Sequence, residues 1–134
     1  MRSNEFLIQK AKEARKYAYA PYSGIKIGAA ISTKGGKIFT GCNVENASFG
    51  LTICAERVAI AKAVSEGNCD FEHLVLVSDD FVYPCGACRQ VLSEFVEDMR
   101  ITLVNGGGET KDTNLRKLLP FPFSISRSSQ QRIS

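Results

Sequence analysis

Two short fragments hold the residue types that do chemistry together: Cys54-Ala55-Glu56 and Pro84-Cys85-Gly86-Ala87-Cys88. Cys85 and Cys88 are three apart, so on a helix they share one turn and can grip a single ion. Cys54 offers a third sulfur from a separate segment. Soft thiolates without a supporting redox motif favour zinc. Three protein ligands leave one tetrahedral corner for water, and zinc lowers the pKa of that water to about 7. Glu56 lies two residues beyond Cys54, so on a helix it does not face the ligand set. It can still reach the water, where a general base belongs. Three thiolates leave surplus negative charge on a divalent ion, and Arg57 is the candidate to donate to a sulfur and offset it. The plain alternative for Arg57 is an exposed helix position.

Rival readings of the cysteines stand beside this one. An isolated C-x-x-C can be a redox pair. A closed structural zinc would take a fourth ligand from Cys42, Cys69 or His73, leaving Glu56 incidental. Each of those three also reads as ordinary packing. With five cysteines and one histidine, a histidine-based zinc site has a single candidate.

Both fragments fall where helices are predicted to begin, and there the free N–H groups and the helix dipole favour thiolate over thiol. A first helix is predicted over residues 4–18, with Ser3 as N-cap and Leu7, Ala11, Ala14 and Ala18 at helical spacing. Strands over 26–33 and 37–42 are joined at Lys34-Gly35-Gly36. A polar loop over 43–50 leads to a second helix over 52–66, capped by Thr52 and closed by Gly67. A buried-type strand over 73–78 precedes a third helix over 85–97, opened by Pro84. Another strand is predicted over 101–104, and a short helix over 114–119 ends at Pro120. Strands alternating with helices imply a sheet covered by helices on both faces.

The bulk numbers exclude several classes. A chain of 134 residues fits one domain. The net charge of +3, from 17 basic and 14 acidic residues, gives no reason to expect a nucleic-acid partner. Lys10, Lys12, Arg15 and Lys16 read as the solvated face of the first helix. No stretch approaches the roughly 20 apolar residues that span a bilayer, so no membrane partner is expected. The N-terminus turns polar too early for a secretory signal, and a cytoplasmic protein is expected. The Gly106-Gly107-Gly108 loop lacks the Gly-Lys-Ser/Thr ending of a phosphate loop. The polar segment 124–134 has a composition compatible with disorder.

The Cys54-x-Glu56 and Pro84-Cys85-x-x-Cys88 fragments match the three-cysteine form of the zinc deaminase signature. Further stretches resemble the small homotetrameric cytidine deaminases. They are Tyr19-Ala20-Pro21-Tyr22-Ser23, Gly28-Ala29-Ala30, Asn43-Val44-Glu45-Asn46-Ala47-Ser48, Thr52-Ile53-Cys54-Ala55-Glu56-Arg57, Cys88-Arg89-Gln90 and Leu118-Leu119-Pro120. The resemblance runs over nearly the whole chain, leaving out only the first few residues and the tail; it implies one deaminase domain over residues 1–123 and a three-layer α/β/α sandwich with a mixed five-stranded sheet. It implies zinc-dependent hydrolysis of cytidine and 2′-deoxycytidine to the uridine products and ammonia, in pyrimidine salvage, by a homotetramer with one zinc per subunit. Cys54, Cys85 and Cys88 would hold the zinc and Glu56 would move the protons. Asn43 and Glu45 would hold the ribose 3′-hydroxyl, and the Ala55 amide would fix the ring. Phe123 matches a phenylalanine that reaches into a neighbour's site, with plain packing as the other account. Two positions depart from the family pattern. Ile25 stands where the family often has a phenylalanine packed on the pyrimidine, and Phe49 where it often has tyrosine. Both bear on substrate preference and affinity. A modified nucleoside or a base within nucleic acid is the alternative substrate.

Overall fold

The structure, a computed structural model, describes residues 4–125. Its elements are α1 (Asn4–Arg15), β1 (Gly28–Thr33), β2 (Ile38–Cys42), α2 (Ala55–Ser65), β3 (Phe71–Val77), α3 (Gly86–Phe95), β4 (Arg100–Val104), β5 (Thr110–Asn114) and α4 (Leu115–Leu118), with a 3₁₀ turn at Phe49–Leu51. The sheet order is β2-β1-β3-β4-β5. β1 is antiparallel to both β2 and β3, β4 is antiparallel to β5, and β3 and β4 run parallel. The parallel pair needs a crossover, and α3 supplies it. The mixed five-stranded sheet agrees with the expected sandwich.

Strand alternation builds both layers at once. Ala29, Ile31, Leu74, Leu76, Ile101 and Leu103 face the core shared with Ala59 and Ile60 of α2 and Leu92 of α3. Ala30, Val75, Val77 and Val104 face the opposite way, onto Leu7 and Ala11 of α1. Each fully buried leucine or isoleucine there contributes roughly 1.5–3 kcal/mol. Two glycines set how closely the helices approach. A Cβ on Gly28 would lie 2.0 Å from the Ala11 carbonyl oxygen of α1, and one on Gly41 would lie 2.5 Å from the Ala55 carbonyl oxygen of α2. Alanine at either position would push a helix off the sheet.

Several predicted boundaries move. α1 stops at Arg15 and not at 18, because the amides of Lys16, Tyr17 and Ala18 each bond three residues back and tighten the last turn. Its expected cap, Ser3, lies outside the described residues, as does the tail beyond residue 125. α2 begins at Ala55, with Cys54 as N-cap in extended geometry. Thr52 does not cap it. Ile53 is still paired with Val44 in a two-bond bridge, and the Thr52 hydroxyl accepts from the Asn46 amide at 3.1 Å. α3 ends at Phe95, two residues short of its predicted limit. β5 has no apolar residue in Thr-Lys-Asp-Thr-Asn, so the hydrophobic pattern carries no sign of it. It is an edge strand held by β4.

Candidate functional site

The site lies where three segments converge on the start of α2. A narrow ribbon of isolated bridges does the gathering: Tyr19 pairs with Val44, and Val44 with Ile53. The Val44 amide donates to the Ile53 carbonyl and the Ile53 amide donates back, both at 2.9 Å. The 19–25 loop, the Asn43-Val44-Glu45 segment and Cys54 are thereby fixed side by side. Gly41, two residues before Asn43, lets α2 settle onto β2 so that its first turn meets this ribbon.

α3 brings the other two thiols. Cys85 is its N-cap, and the Cys85 sulfur accepts from the Cys88 amide at 3.5 Å. The Cys54 and Cys85 sulfurs are 3.8 Å apart and those of Cys85 and Cys88 3.4 Å apart. All three lie within 4.8 Å of one another. Disulfide sulfurs would be about 2.05 Å apart. A tetrahedral zinc with Zn–S bonds of about 2.3 Å holds its sulfurs about 3.8 Å apart. The cluster therefore fits one soft cation. Among the described residues it contains no fourth cysteine or histidine. Cys69 is exposed, Cys42 ends β2, and the His73 ring bonds Thr102. The closed four-ligand alternative loses its candidates.

The charges around the sulfurs are matched to that use. The Arg57 guanidinium donates to the Cys54 sulfur at 3.5 Å. Hydrogen bonding from the Cys88 thiol, then from Arg57 and Cys85, brings the Cys54 thiol down to about 5 against the opposing effect of burial. Cys88 is pushed up, first by giving its hydrogen bond to Cys54 and then by burial. One thiol of the cluster is thus ready to ionise, and a bound cation would draw off the remaining protons. The Nε of Arg57 is buried without a partner among the described residues, an arrangement that suits a cluster carrying more negative charge.

Glu56 is 4% exposed on the first turn of α2. Burial raises its carboxyl above the ordinary value, its own backbone amide opposes that, and the Cys54 charge adds to it. Ala55 is the first residue of α2, and the helix cannot satisfy an amide at that position. Asn43 is buried and spans the loop before β1: its Oδ1 accepts from the Ile27 amide at 2.9 Å and its Nδ2 donates to the Ile25 carbonyl at 2.7 Å. Glu45 Oε1 accepts from the Tyr22 and Ser23 amides at 2.9 and 3.1 Å, and Oε2 accepts from the Ser23 hydroxyl. These bonds hold Glu45 below the usual carboxylate range, the Ser23 hydroxyl contributing most. Each of the two side chains keeps hydrogen-bonding capacity beyond these contacts.

Ile25 and Phe49 are exposed, and the Phe49 ring stands edge-on to Tyr22 at 6.0 Å. Phe123 is exposed, but its backbone is clamped to α3: Gln90 Nε2 donates to its carbonyl at 2.7 Å and Gln90 Oε1 accepts from its amide at 3.2 Å. Arg89 donates to the carbonyls of Pro84 and Leu118 at 2.7 and 2.8 Å, tying the loop before α3 to α4. Residue type alone gives Ser23, Arg89 and Gln90 no role. The only signal available was their place inside the quoted motifs.

A layered α/β/α fold with a three-sulfur cation site, an adjoining buried carboxyl and an arginine fits the class of metal-dependent hydrolases. The description "cytidine and deoxycytidylate deaminase zinc-binding region" matches residues 1–104, and the chain belongs to that family. It is 47% identical over 123 residues to the cytidine deaminase of Sporosarcina psychrophila, spanning 90% of each chain. It is 50% identical over 123 residues to a probable cytidine deaminase of Dictyostelium discoideum, spanning 90% of this chain and 83% of that one. A cytidine deaminase crystal structure from Burkholderia pseudomallei superposes with a TM-score of 0.87 at 44% identity, covering 91% of this chain and 100% of the other.

Proposed function

We propose that the chain is a cytidine deaminase, converting cytidine and 2′-deoxycytidine with water to uridine and 2′-deoxyuridine plus ammonia. The observation that carries this reading is the three-sulfur cluster of Cys54, Cys85 and Cys88 beside the buried Glu56. These cysteines hold the zinc, one ion per chain. Zinc, when bound, supplies the Lewis acidity that lets water lose a proton near neutral pH. The rest is done by the chain's own residues. Glu56 takes that proton and passes it to ring N3 as the water oxygen adds to C4; it then takes the remaining proton from the new C4 hydroxyl and delivers it to the amine, which leaves as ammonia as the C4 carbonyl forms. A carboxyl lifted by burial suits a group that must both accept and donate. Arg57 offsets the surplus charge of the thiolates.

Asn43 and Glu45 hold the ribose 3′-hydroxyl with the valences left over from bracing the 22–27 loop, and the Ala55 amide orients the ring. Ile25 covers the pyrimidine without an aromatic face, forgoing about 0.5–1.5 kcal/mol of ring-on-ring geometry. Phe49 supplies no hydroxyl to the substrate. Phe123 reaches a neighbouring subunit's site in a homotetramer. The exposed Tyr83, Phe121, Phe123 and Ile125 support such an assembly, since apolar side chains of this size are otherwise left in water. Among the described residues no helix is long and apolar enough to cross a membrane. A cytoplasmic role in pyrimidine salvage completes the reading.

The deciding measurement is ultraviolet conversion of cytidine to uridine by the zinc-loaded chain, with 2′-deoxycytidine, cytosine and an oligonucleotide run in parallel. Turnover of the two nucleosides should vanish after chelation and return with zinc. Undiminished turnover by metal-free protein, or selective action on the oligonucleotide, refutes the proposal.

A further inference from the structure

On the α1 side of the sheet, past the ends of β3 and β4, lies an open cavity of about 430 Å³, lined by the exposed Lys12, Lys16 and Lys26 with Arg15, Val77, Asn105 and Gly106. Val77 ends β3 and Asn105 follows β4, so the cavity opens outside the carboxyl ends of the one parallel strand pair. Open α/β sheets take ligands in that position, and the volume falls within the ordinary ligand range. Gly28 is what brings α1 down to it: a Cβ there would lie 2.8 Å from the Arg15 Cβ.

The charge at this place is unbalanced. Arg15 is held rigidly, its Nε donating to the Lys26 carbonyl at 2.7 Å and its guanidinium to Asp79 at 2.7 Å. Asp79 is 85% exposed and stands at the rim. Among the described residues the amines of Lys12, Lys16 and Lys26 have no hydrogen-bond or ion-pair partner. Cations in the last turn of a helix complement its dipole, which accounts for Lys12 and Arg15. It does not account for Lys16 and Lys26, both outside α1.

We propose that this cavity is a second ligand site, for a small polyphosphate anion such as pyrophosphate or the triphosphate of a nucleotide. Three unpaired amines around a preorganised guanidinium match several negative charges spaced along one chain of phosphates. The site is coupled to the first. Lys26 lies between Ile25, whose carbonyl accepts from Asn43 Nδ2, and Ile27, whose amide donates to Asn43 Oδ1. An anion that draws Lys26 toward the cavity pulls on the strap that orients Asn43. This coupling rests on the role proposed above for Asn43; the anion site itself does not.

Equilibrium dialysis of the zinc-loaded chain against radiolabelled pyrophosphate at low salt tests the site, with metal content checked afterwards. One equivalent should bind per chain with a Kd below about 1 mM. Lys16→Ala with Lys26→Ala should weaken it about tenfold or more, while the charge-matched Lys34→Ala with Lys117→Ala should not. A cytidine triphosphate arm separates the sources: tighter binding than pyrophosphate indicates a nucleotide, and equal binding indicates the phosphates alone. No saturable binding, or equal weakening in both double variants, overturns the site. Saturating pyrophosphate should also shift the KM for cytidine in the parent chain and not in the Lys16/Lys26 variant. An unmoved KM overturns the coupling, and the dialysis result stands whether or not the chain deaminates cytidine.

Discussion

The two faces of the sheet each carry a cluster of ionisable groups built around a buried one, His73 on one face and Glu56 on the other, and the clusters differ in how completely they satisfy themselves. On the α1 face, the buried His73 ring bonds the Thr102 hydroxyl at 2.7 Å, and that hydroxyl donates to Asp112 at 2.6 Å. Because the hydroxyl proton goes to Asp112, His73 must be the Nε2–H tautomer. Arg100 closes the chain with two bonds to Asp112, at 3.1 and 3.2 Å. Donors and acceptors match there, as buried polar groups must if they are to cost little. On the α2 face, Cys54, Cys85, Cys88, Glu56 and Arg57 do not close. The sulfurs meet each other, Arg57 Nε lacks a partner among the described residues, and Glu56 is buried at a cost that raises its pKa. A closed network belongs to folding. An open one keeps valences for a ligand and forgoes stability to do so.

The comparison is broken most severely at Glu56. Glu56→Gln preserves size and fold, so zinc content should stay at one per chain while kcat falls by about 10²–10⁴ or more. Turnover within about tenfold of the parent would return Glu56 to a structural role. Next comes Arg57→Ala, which removes the cation facing the sulfurs. A loss of about 10–100-fold in activity or metal affinity is expected, and an unchanged value would make Arg57 a surface residue. The smallest effect on activity belongs to the other face. Thr102→Val leaves the His73 N–H without an acceptor and should cost about 1–3 kcal/mol in denaturant unfolding with kcat unaltered.

The same face predicts a pH signature. Burial, with the Arg100 charge adding, lowers His73 from 6.5 to about 4. The folded state therefore binds fewer protons at this site than the unfolded chain, and the stability it contributes is present above about pH 6.5. That contribution is lost as pH falls from there through about 4. His73→Gln should flatten the unfolding free energy over that window. A curve of unchanged slope would mean that another group carries the dependence.

Of this architecture, the parts written in local pattern were legible beforehand. The apolar runs in β1, β3 and β4 and the periodicity of α1 give the layers, because strand and helix repeats of 2.0 and 3.6 are properties of neighbouring residues. The polar β5 and the single-residue bridges at Val44 have no such pattern. The cap of α2 lies at Cys54 and not at Thr52 for the same reason: Thr52 is a good capping type, but whether Ile53 stays extended depends on Val44 across the ribbon.

The candidate site divides along the same line. Residue chemistry and short spacing chose the three sulfurs, the carboxyl two positions on and the adjacent arginine, since thiolate softness and helical geometry are properties of a few consecutive residues. The 3.8 Å approach of Cys54 to Cys85, 31 positions apart, was settled by sheet order, by the glycine at 41 and by the crossover of α3. The second bonds of Asn43 and Glu45, the Gln90 clamp and the gathering of Lys26 with the end of α1 were settled there too. Chain order leaves such contacts open, because segments far apart in sequence meet only through the packing of everything between them.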